Sequence, residues 1–591
     1  MTSREWRYFW LKFGLVSVIF VFLARLFFIQ VVEHDRYVRE ANAMRVKQYE
    51  LLAKRGEVYF MDGDKDVSPA IMNERTWTVF VDPNFIIKNA GSNGVLSKED
   101  TQKKLSEILG DTMITTWDKV WANEDNMYVE IAKNVDYNTV VKIKEANLRG
   151  VGRKETSRRV YPQGRVGAQL LGFINAEGTG SGVEGAFNKQ LSGTNGMLKT
   201  VTDVNDIPLS VGDDNIEIAA KDGESIVLTI DENIQRKTEK VLKKVVTNYK
   251  GQISAASALV MEPSTGKVWA MANYPNYDPE KYWKEKDANV YVNRVTETPY
   301  EPASVCKPFI YATALNEGKL NPDSTYYNSG VTEVDDRKMH NASGSEGLVG
   351  TLTFRKALAY SLNTGSIEVL RKLGDGTNIT KGARTTYYNY LHDNFGLGEK
   401  TGVELYEAKG ILISPENVEG NAVRYANMTF GQGMNLTMLQ VAAGFSSIVN
   451  GGDYYKPTVV AGTYSNGKLI KAEQKKADHQ ALSKTTSAEM RKMLEGTREV
   501  NGGKSDLPGY RVGVKTGTAE TLDSSGSYTS KKTVASVVGY GSEKGTDSLP
   551  RYVIMVRLDG ETLLWGARNA IPVFTELSNY MLQYLRMEPK E

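Results

Sequence analysis

The chain of 591 residues contains one cysteine, Cys306, and four histidines. A single cysteine excludes an intramolecular disulfide bond, and it also excludes the zinc sites that are built from several thiolates. None of the histidines falls in a ligand spacing such as HExxH, which holds a catalytic zinc ion. We therefore expect no metal ion in the chemistry of this protein.

The sequence also lacks an excess of charge of either sign, internal repeats and a phosphate-binding loop. Lys and Arg number 73 against 71 for Asp and Glu, whereas nucleic-acid-binding proteins usually show a clustered basic excess. No GxxxxGK[ST] segment is present, so a nucleotide site is not indicated. With 41% apolar and 24% charged residues, the composition is that of a folded protein long enough for several domains.

One long apolar run is present near the N-terminus, at residues 13–32. FGLVSVIFVFLARLFFIQVV contains a single charged residue, Arg25, and its length fits one bilayer crossing. A cleaved signal peptide would have a shorter apolar region and small residues at its exit, so we predict an uncleaved anchor. The preceding basic segment predicts a cytoplasmic N-terminus and an exported remainder. Arg25 either extends to the membrane surface or contacts a membrane partner, and both alternatives stay open.

The rest of the sequence divides by pattern into a mixed region and a large α+β region. We predict a cytoplasmic tail at 1–12, a transmembrane helix at 13–32, a β-rich stalk at 33–215 and an α+β domain at 216–591. Short β-like runs such as TWTVFVDP occur in the stalk, and SAASALVMEPSTGKVWAMANYP (254–275) predicts two strands joined by a turn in the large domain.

The stretch EPASVCKPF (301–309) places a serine and a lysine three positions apart at the start of a predicted helix. Positions i and i+3 share a helix face, so Ser304 and Lys307 should meet. Cys306 is rotated about 200° from Ser304 and is predicted to be a buried packing residue. A serine needs a base to become a nucleophile. Burial and nearby positive charge lower the pKa of a lysine enough for Lys307 to be that base.

Two further stretches give this pair a chemical context. Ser361-Leu362-Asn363 offers a hydroxyl for proton relay and an amide for substrate binding. Residues 515–518, KTGT, offer a cation and hydroxyls for a carboxylate, and the glycine permits close approach of a ligand backbone. Taken alone, Ser361 and Asn363 are better explained as a helix-cap serine and a turn residue, and residues 515–517 as an ordinary strand end. The three sets in this order form the constellation of penicillin-interacting serine enzymes.

On these motifs the sequence resembles a class B penicillin-binding protein, a monofunctional peptidoglycan D,D-transpeptidase. The resemblance covers nearly the whole chain. Blocks similar to the family's catalytic domain are NRVTETPYEPASVCKPF, LVMEPSTGKVWAMANYPNYDP and FGQGMNLTMLQVAAGFSSIVNGG; blocks similar to its stalk are RGEVYFMDG, RRVYPQG and GSGVEGAFNKQLSGTNG. The sequence departs from the family at Ala303, where glycine is usual, at Met61-Asp62-Gly63, and at Leu436-Thr437-Met438, which lacks the usual proline. No departure touches a residue with a catalytic role.

The resemblance implies an α+β fold of the penicillin-binding and serine β-lactamase type, with an antiparallel sheet flanked by helices on an elongated, non-catalytic stalk. It implies that Ser304 attacks the D-Ala–D-Ala carbonyl of a donor stem peptide while Lys307 takes its proton. The backbone N–H groups of Ser304 and Thr518 would form the oxyanion hole, and Ser361 would pass the proton to the leaving D-alanine.

Substrate binding is implied in the same way for the remaining motif residues. Asn363 would bind the donor amide, and Lys515, Thr516 and Thr518, beside Gly517, would hold its terminal carboxylate. An amine from a neighbouring stem peptide would then resolve the acyl-enzyme into a crosslink. β-Lactams would mimic the donor and acylate Ser304, and no metal or organic cofactor would be needed.

Other functions fit the sequence less well. A β-lactamase would need an added water-activating base, a β-lactam sensor would need a cytoplasmic signalling module, and a bifunctional class A enzyme would need a glycosyltransferase pattern. None of these three features is evident. A non-catalytic scaffold would tolerate the loss of catalytic residues, but here all of them are present.

The short tail, the SLNTG form and the absence of an appended C-terminal domain favour a septal role over one in cell elongation. A polytopic SEDS-family glycosyltransferase and other wall-synthesis membrane proteins would be partners, with Arg25 and RRVYPQGR (158–165) as candidate contacts.

Overall fold

The structure is a computed structural model, and it describes residues 3–37, 46–63, 65–92, 94–175, 177–201, 216–342, 345–522, 528–545 and 548–590. Contacts within the chain divide it into two units, Met1–Gly56 with Ser192–Gly223 and Glu57–Leu191 with Glu224–Glu591. The predicted domain boundary at residue 215 lies outside the described residues, so it stays a prediction.

The strands of the described residues are numbered in chain order. They are β1 (Val46–Leu51), β2 (Val58–Asp62), β3 (Asp66–Val81), β4 (Val129–Val135), β5 (Val151–Val160), β6 (Gly196–Val201), β7 (Ile216–Ile218), β8 (Ser225–Asp231), β9 (Ile253–Met261), β10 (Val268–Tyr274), β11 (Thr325–Asn328), β12 (Val331–Val334), β13 (Arg337–His340), β14 (Gly350–Thr353), β15 (Asp453–Tyr454), β16 (Val460–Ser465), β17 (Lys468–Lys471), β18 (His479–Gln480), β19 (Tyr510–Leu522), β20 (Tyr528–Glu543) and β21 (Tyr552–Gly560).

The α-helices are numbered in the same way. They are α1 (Ser3–Phe27), α2 (Pro83–Asn89), α3 (Lys98–Leu109), α4 (Trp117–Trp121), α5 (Tyr137–Glu145), α6 (Ala168–Leu171), α7 (Gly182–Ala186), α8 (Asn188–Ser192), α9 (Glu232–Asn248), α10 (Arg294–Glu297), α11 (Lys307–Asn316), α12 (Phe354–Ala359), α13 (Asn363–Lys372), α14 (Lys381–Asn389), α15 (Ala422–Met428), α16 (Met438–Val449), α17 (Lys484–Val500) and α18 (Ile571–Tyr584).

The first unit contains the apolar N-terminal helix and a small sheet. Helix α1 continues into a π-helical turn at Phe28–Val32, and the span Trp6–Val32 is long and apolar enough to cross a membrane. The predicted segment 13–32 lies within this span, and the helix begins earlier than predicted. Strands β1, β6 and β7 form an antiparallel sheet with β6 in the middle.

In the second unit, a seven-stranded sheet includes parts of two stalk blocks, RGEVYFMDG in β2 and RRVYPQG in β5. Its order is β17-β16-β8-β2-β3-β4, and β5 pairs with the long strand β3. The predicted strand TWTVFVDP is the end of β3. It stops at Val81 because the Asp82 side chain caps α2 by accepting from the Phe85 N–H, and Pro83 occupies the first position of the helix. Helices α2 to α5 then cover one face of this part of the sheet around a small apolar core.

One stalk motif is held by a buried ion pair. The Arg159 Nε donates to Glu184 at 2.7 Å and its Nη1 donates to the Asn73 side chain at 2.8 Å. The Glu184 side chain is fully buried, and the Arg159 side chain is 12% exposed. Arg159 is therefore committed to the fold, whereas Arg158 and Arg165 of the same stretch are exposed.

The predicted α+β domain, residues 216–591, contains a five-stranded sheet that is antiparallel and is covered by helices on both faces. Its order is β10-β9-β21-β20-β19, so β19 is an edge strand. Alternate residues point to opposite faces: Ala258 and Val260 pack with α9 and α18 in one core, whereas Leu259 and Met261 belong to the other core. That second core contains α11, α13, α16 and α17. The predicted α+β class and the strand pair at 254–275 are confirmed.

We predict that Glu184→Ala destabilises the protein by roughly 3–5 kcal/mol, because it leaves the largely buried Arg159 charge without its partner. The control is Glu155→Ala, which removes an ion pair to Arg75 in which both side chains are more than half exposed. It should cost less than about 1 kcal/mol. Thermal unfolding of the full chain in detergent measures both variants. Equal stability losses in the two variants would contradict the structural role of the buried pair.

Candidate active site

The nucleophile motif lies at the junction of a 3-10 turn and a helix. Ala303–Cys306 form the 3-10 turn, which is called the nucleophile turn because it contains the predicted nucleophile Ser304. Helix α11 begins at Lys307 with Pro308 in its first turn. The Lys307 N–H donates to the Ser304 carbonyl, and residues i and i+3 are eclipsed in a 3-10 turn. Ser304 is half-buried, while Cys306 is fully buried within the core. Burial raises the pKa of the Cys306 thiol, and its prediction as a packing residue is confirmed.

The turn is held from outside by the segment 431–436. Ala303 has a φ of 54°, a left-handed conformation that costs roughly 1–2 kcal/mol for a residue with a Cβ. Its N–H donates to the Gly431 carbonyl at 3.0 Å, and Tyr300 exchanges two backbone hydrogen bonds with Leu436 at 3.0 and 2.9 Å. In the sequence this segment belongs to the block FGQGMNLTMLQVAAGFSSIVNGG, which resembles the family. Its hydrogen bonds to the turn that contains Ser304 were not predicted.

The departure from the family at residues 436–438 lies at the start of α16. Thr437 is the N-cap of this helix, and together with Gln440 it forms a capping box. Met438 occupies the first helical position, where a proline is tolerated but not required.

Lys307 is fully buried and turned toward the second motif. Its Nζ is 2.8 Å from Asn363 Oδ1 and 3.1 Å from Ser361 Oγ, and it also contacts the Ser361 carbonyl oxygen. Lys515, which is 1% exposed, places its Nζ 2.8 Å from the same Ser361 Oγ and 3.1 Å from the Thr516 carbonyl oxygen. The Ser361 hydroxyl thus lies between two buried lysines.

The electrostatics of this cluster favour an uncharged lysine. Burial, and secondarily the charge of Lys515, hold the pKa of Lys307 well below its usual value of 10.5. Burial lowers the pKa of Lys515 to about 7. Within the described residues neither lysine forms an ion pair with a carboxylate, and their Nζ atoms contact only uncharged oxygens. A neutral Lys307 has a lone pair that can accept a proton.

The second motif lies at a corner between two helices. Ser361 follows α12 with a φ of 57°, and α13 begins at Asn363. While Asn363 Oδ1 accepts from Lys307, its Nδ2 donates to the His340 carbonyl at 2.9 Å. His340 ends the strand β13, and no sequence pattern indicated this partner.

The third motif lies on the edge strand β19, which passes directly beside the nucleophile turn. A Cβ added at Gly517 would lie 2.6 Å from Ser536 Oγ and 2.8 Å from the Pro302 carbonyl oxygen. The glycine is therefore required by the packing of the protein itself, and not only by a ligand. Thr518 Oγ1 accepts from the Gly566 N–H at 3.0 Å, so the π-helical turn Gly566–Ala570 before α18 fixes this side chain.

The structure brings Lys307, Ser361, Asn363 and Lys515 into one hydrogen-bonded cluster. Ser304 is one turn before Lys307, and residues 516–518 continue from Lys515 along the neighbouring strand. A half-buried serine hydroxyl, a buried lysine whose pKa is lowered and a second serine hydroxyl beside it are groups that a serine acyl-transfer site uses. Such a site defines the class of penicillin-interacting serine enzymes.

Comparisons of the sequence with known proteins agree with this class. A model described as "Penicillin binding protein transpeptidase domain" matches residues 256–579, and one described as "Penicillin-binding Protein dimerisation domain" matches residues 50–228. Stage V sporulation protein D of Bacillus subtilis is 28% identical over 100% of this chain and 87% of its own length. Peptidoglycan D,D-transpeptidase FtsI of Escherichia coli is 25% identical over 99% of this chain and 93% of its own length.

Solved structures show the same fold. Penicillin binding protein 2X from Streptococcus thermophilus has a TM-score of 0.70 at 23% identity, covering 91% of this chain and 80% of that one. Penicillin binding protein 3 from Mycobacterium tuberculosis, complexed with aztreonam, has a TM-score of 0.65 at 21% identity, covering 92% and 98%. The chain therefore belongs to the penicillin-binding protein transpeptidase family, and its predicted class, a class B D,D-transpeptidase, is confirmed.

We predict that Gly431→Ala lowers the rate of acylation by a labelled penicillin at least about tenfold. A Cβ at this position would lie 2.1 Å from the Ala303 carbonyl oxygen, so the turn that carries Ser304 must shift, and small misplacements are costly in catalysis. The matched control is Gly402→Ala, which has a similar φ of 81° against 77° but has no atom within 4 Å of the added Cβ. Equal acylation rates in the two variants would contradict the prediction, because the contact with the Ala303 carbonyl would then have no effect beyond the backbone strain that both variants share.

Proposed function

We propose that this protein crosslinks peptidoglycan stem peptides through an acyl intermediate on Ser304. The observation that carries the proposal is the Ser361 hydroxyl held between buried Lys307 and Lys515, one helical turn from Ser304. The bond from Ser304 Oγ to the penultimate D-alanine carbonyl carbon forms, and the bond to the terminal D-alanine nitrogen breaks. Backbone N–H groups of Ser304 and Thr518 are the proposed donors to the oxyanion.

The proton follows the hydrogen bonds of the cluster. Neutral Lys307 takes the proton of Ser304, and the Ser361 hydroxyl accepts one from the resulting ammonium while giving its own to the leaving amine. Lys515 supports the relay through its contact with Ser361 Oγ. The amine of a second stem peptide then enters where D-alanine left, and its lost proton returns along the same path, so no external acid or base is consumed.

Binding of the donor is assigned to the edge strand and to Asn363. The carboxylate of the terminal D-alanine would lie against Lys515, Thr516 and Thr518, with Gly517 keeping the strand against the nucleophile turn. Asn363 already uses both ends of its amide, on Lys307 and His340. A donor amide that binds Asn363 must therefore share or replace one of these contacts.

The cellular setting is proposed from the relatives. FtsI-type transpeptidases match the chain over almost its full length, and they support the septal role. A second setting is cell-wall synthesis in sporulation, because Stage V sporulation protein D is similar over all of this chain. The position of a fluorescent fusion in growing and in sporulating cells separates the two. The elongation role would require a fusion that follows the side wall.

The N-terminal helix is proposed to anchor the protein in the cytoplasmic membrane, with the N-terminus inside and the rest outside. A SEDS-family glycosyltransferase is the proposed membrane partner, contacted through the anchor and the stalk. Arg25, within the apolar span, and the exposed Arg158 and Arg165 are the candidate contacts. Unchanged co-purification of the partner with an Arg25→Leu variant would remove Arg25 from this interface.

We predict that a labelled penicillin forms a persistent adduct on the protein that Ser304→Ala abolishes. Cys306→Ala is the matched control, because it removes the other candidate nucleophile two positions away and costs only packing. The measurement is intact mass after incubation of wild type and both variants. Wild type and Cys306→Ala should gain one adduct, while Ser304→Ala should gain none.

Three results would contradict the proposal. An adduct on Ser304→Ala would place the nucleophile elsewhere. Rapid loss of the adduct with hydrolysed penicillin would indicate a β-lactamase. No adduct on wild type would indicate a scaffold that does not react.

A further inference from the structure

The second motif is held by a hairpin that the proposed mechanism does not use. Strands β12 and β13 form this hairpin, and β13 ends at His340, directly before Asn341. The His340 carbonyl accepts from Asn363 Nδ2 at 2.9 Å, and Asn341 Oδ1 accepts from the Thr364 N–H at 3.0 Å. Two consecutive residues at the end of the hairpin therefore contact the first two residues of α13.

Asn341 supplies a cap that α13 lacks in its own sequence. The helix begins after Leu362, whose side chain caps nothing, and the Ser361 hydroxyl is engaged with the two lysines. The first N–H groups of a helix have no partner within the helix, and the oxygen that caps them usually belongs to the residue just before it. Here the oxygen comes from a residue 23 positions away in the chain.

The Asn341 side chain is itself fixed in one orientation. Its Nδ2 donates to Asn328 Oδ1 at 3.0 Å, and its backbone N–H donates to the Gly330 carbonyl at 3.1 Å. Asn328 is fully buried, and its own Nδ2 donates to the Leu348 carbonyl at 2.7 Å. Because the amide nitrogen of Asn341 faces an acceptor, its amide oxygen is the end that faces α13.

The orientation of the Asn363 amide decides which atom Lys307 meets. A carbonyl oxygen can only accept a hydrogen bond, so His340 holds the Nδ2 end of the amide. The Oδ1 end is left for Lys307 Nζ, at 2.8 Å, and the Ser361 carbonyl is a second acceptor for the same Nζ. An uncharged amine has two N–H groups, and both then have acceptors. Its lone pair remains for the proton of a hydroxyl.

The opposite orientation of the amide would occupy the base. If the Asn363 side chain turned over, Nδ2 would face Lys307 and donate to the lone pair that has to take the proton of Ser304. Among the described residues the His340 carbonyl is the one acceptor of Asn363 Nδ2. A hairpin that moved away from α13 would therefore leave the amide free to turn.

We propose that Asn341 is a positioning residue for the base of the acylation step. Its cap on α13 keeps the His340 carbonyl against Asn363. That contact in turn keeps the lone pair of Lys307 available to Ser304. The inference rests on the proposed acyl transfer at Ser304, and it adds a residue outside the three motifs on which this step depends.

The test measures how fast a labelled penicillin acylates Ser304 of the full chain in detergent, at a series of penicillin concentrations and at the pH of the fastest reaction. The concentration dependence separates the affinity before acylation from the limiting acylation rate. Asn341→Ala should lower the limiting rate at least about tenfold, because small misplacements of reacting groups are costly. The affinity should change less than about threefold, because the lost contact serves the reaction and not binding. The adduct formed at completion counts the folded sites.

Asn341→Asp is the conservative variant. Its carboxylate can still accept from the Thr364 N–H, and Asp and Asn are about equally good helix caps, so its limiting rate should stay within about threefold of wild type. The matched control is Asp136→Ala. This change removes the cap of α5, in which Asp136 Oδ1 accepts from the Thr139 N–H at the same distance of 3.0 Å. It should lower thermal stability as Asn341→Ala does and leave the limiting rate unchanged.

Three results would overturn the inference. They are a limiting rate for Asn341→Ala within about twofold of wild type, an equal loss of rate in Asn341→Asp and Asn341→Ala, and an equal loss in Asp136→Ala. Should Asn341→Ala not fold, Asn341→Asp decides alone: a retained rate supports the inference, and a loss of about tenfold or more overturns it. The penicillin adduct of wild type forms in each of these cases. Its absence from wild type would instead remove the proposed function, so the two failures are distinguishable.

Discussion

Two lysines buried around one serine hydroxyl are the constraint on which the site depends. Lys307 and Lys515 both contact Ser361 Oγ, and neither has a carboxylate partner among the described residues. A buried charge without an ion-pair partner is costly, and this cost lowers the pKa of Lys307 well below its usual value. The proposed role of Lys307 as the base that activates Ser304 depends on that lowered pKa.

The rest of the large domain keeps this arrangement in place. The covered five-stranded sheet supplies a rigid edge strand, and Gly517 lets that strand pass against the nucleophile turn. The turn itself contains Ala303 in a left-handed conformation, and the backbone of residues 431–436 holds it there. Strain of this kind persists only where surrounding structure determines it. The site is therefore built from long-range contacts, although its residues lie in short motifs.

The sequence predicted the family and the local elements better than the long-range contacts of the site. The apolar run, the 254–275 strand pair and the burial of Cys306 were predictable, because each depends on local periodicity. The meeting of the Ser304 and Lys307 side chains stays a prediction, and the α-helix begins at Lys307 after a 3-10 turn. The Gly431 support and the His340 contact were not predictable, because they join distant segments through backbone groups that carry no sequence signal. The capping box of Thr437 and Gln440 does have a sequence signature, Thr-x-x-Gln, and it was missed. Arg159 looked like a surface residue in an Arg-rich run, yet its partner Glu184 is 25 positions away and buried.

The central claim is that burial and the nearby charge of Lys515 lower the pKa of Lys307 far enough for it to act as the base toward Ser304. The most direct test is the pH dependence of the second-order rate constant for acylation of Ser304 by a penicillin, measured at constant ionic strength. The account predicts that the rate falls as pH decreases through a lysine pKa far below the usual 10.5, because protonation removes the base. A rate that continues to rise up to pH about 10, as for an ordinary lysine, would contradict it.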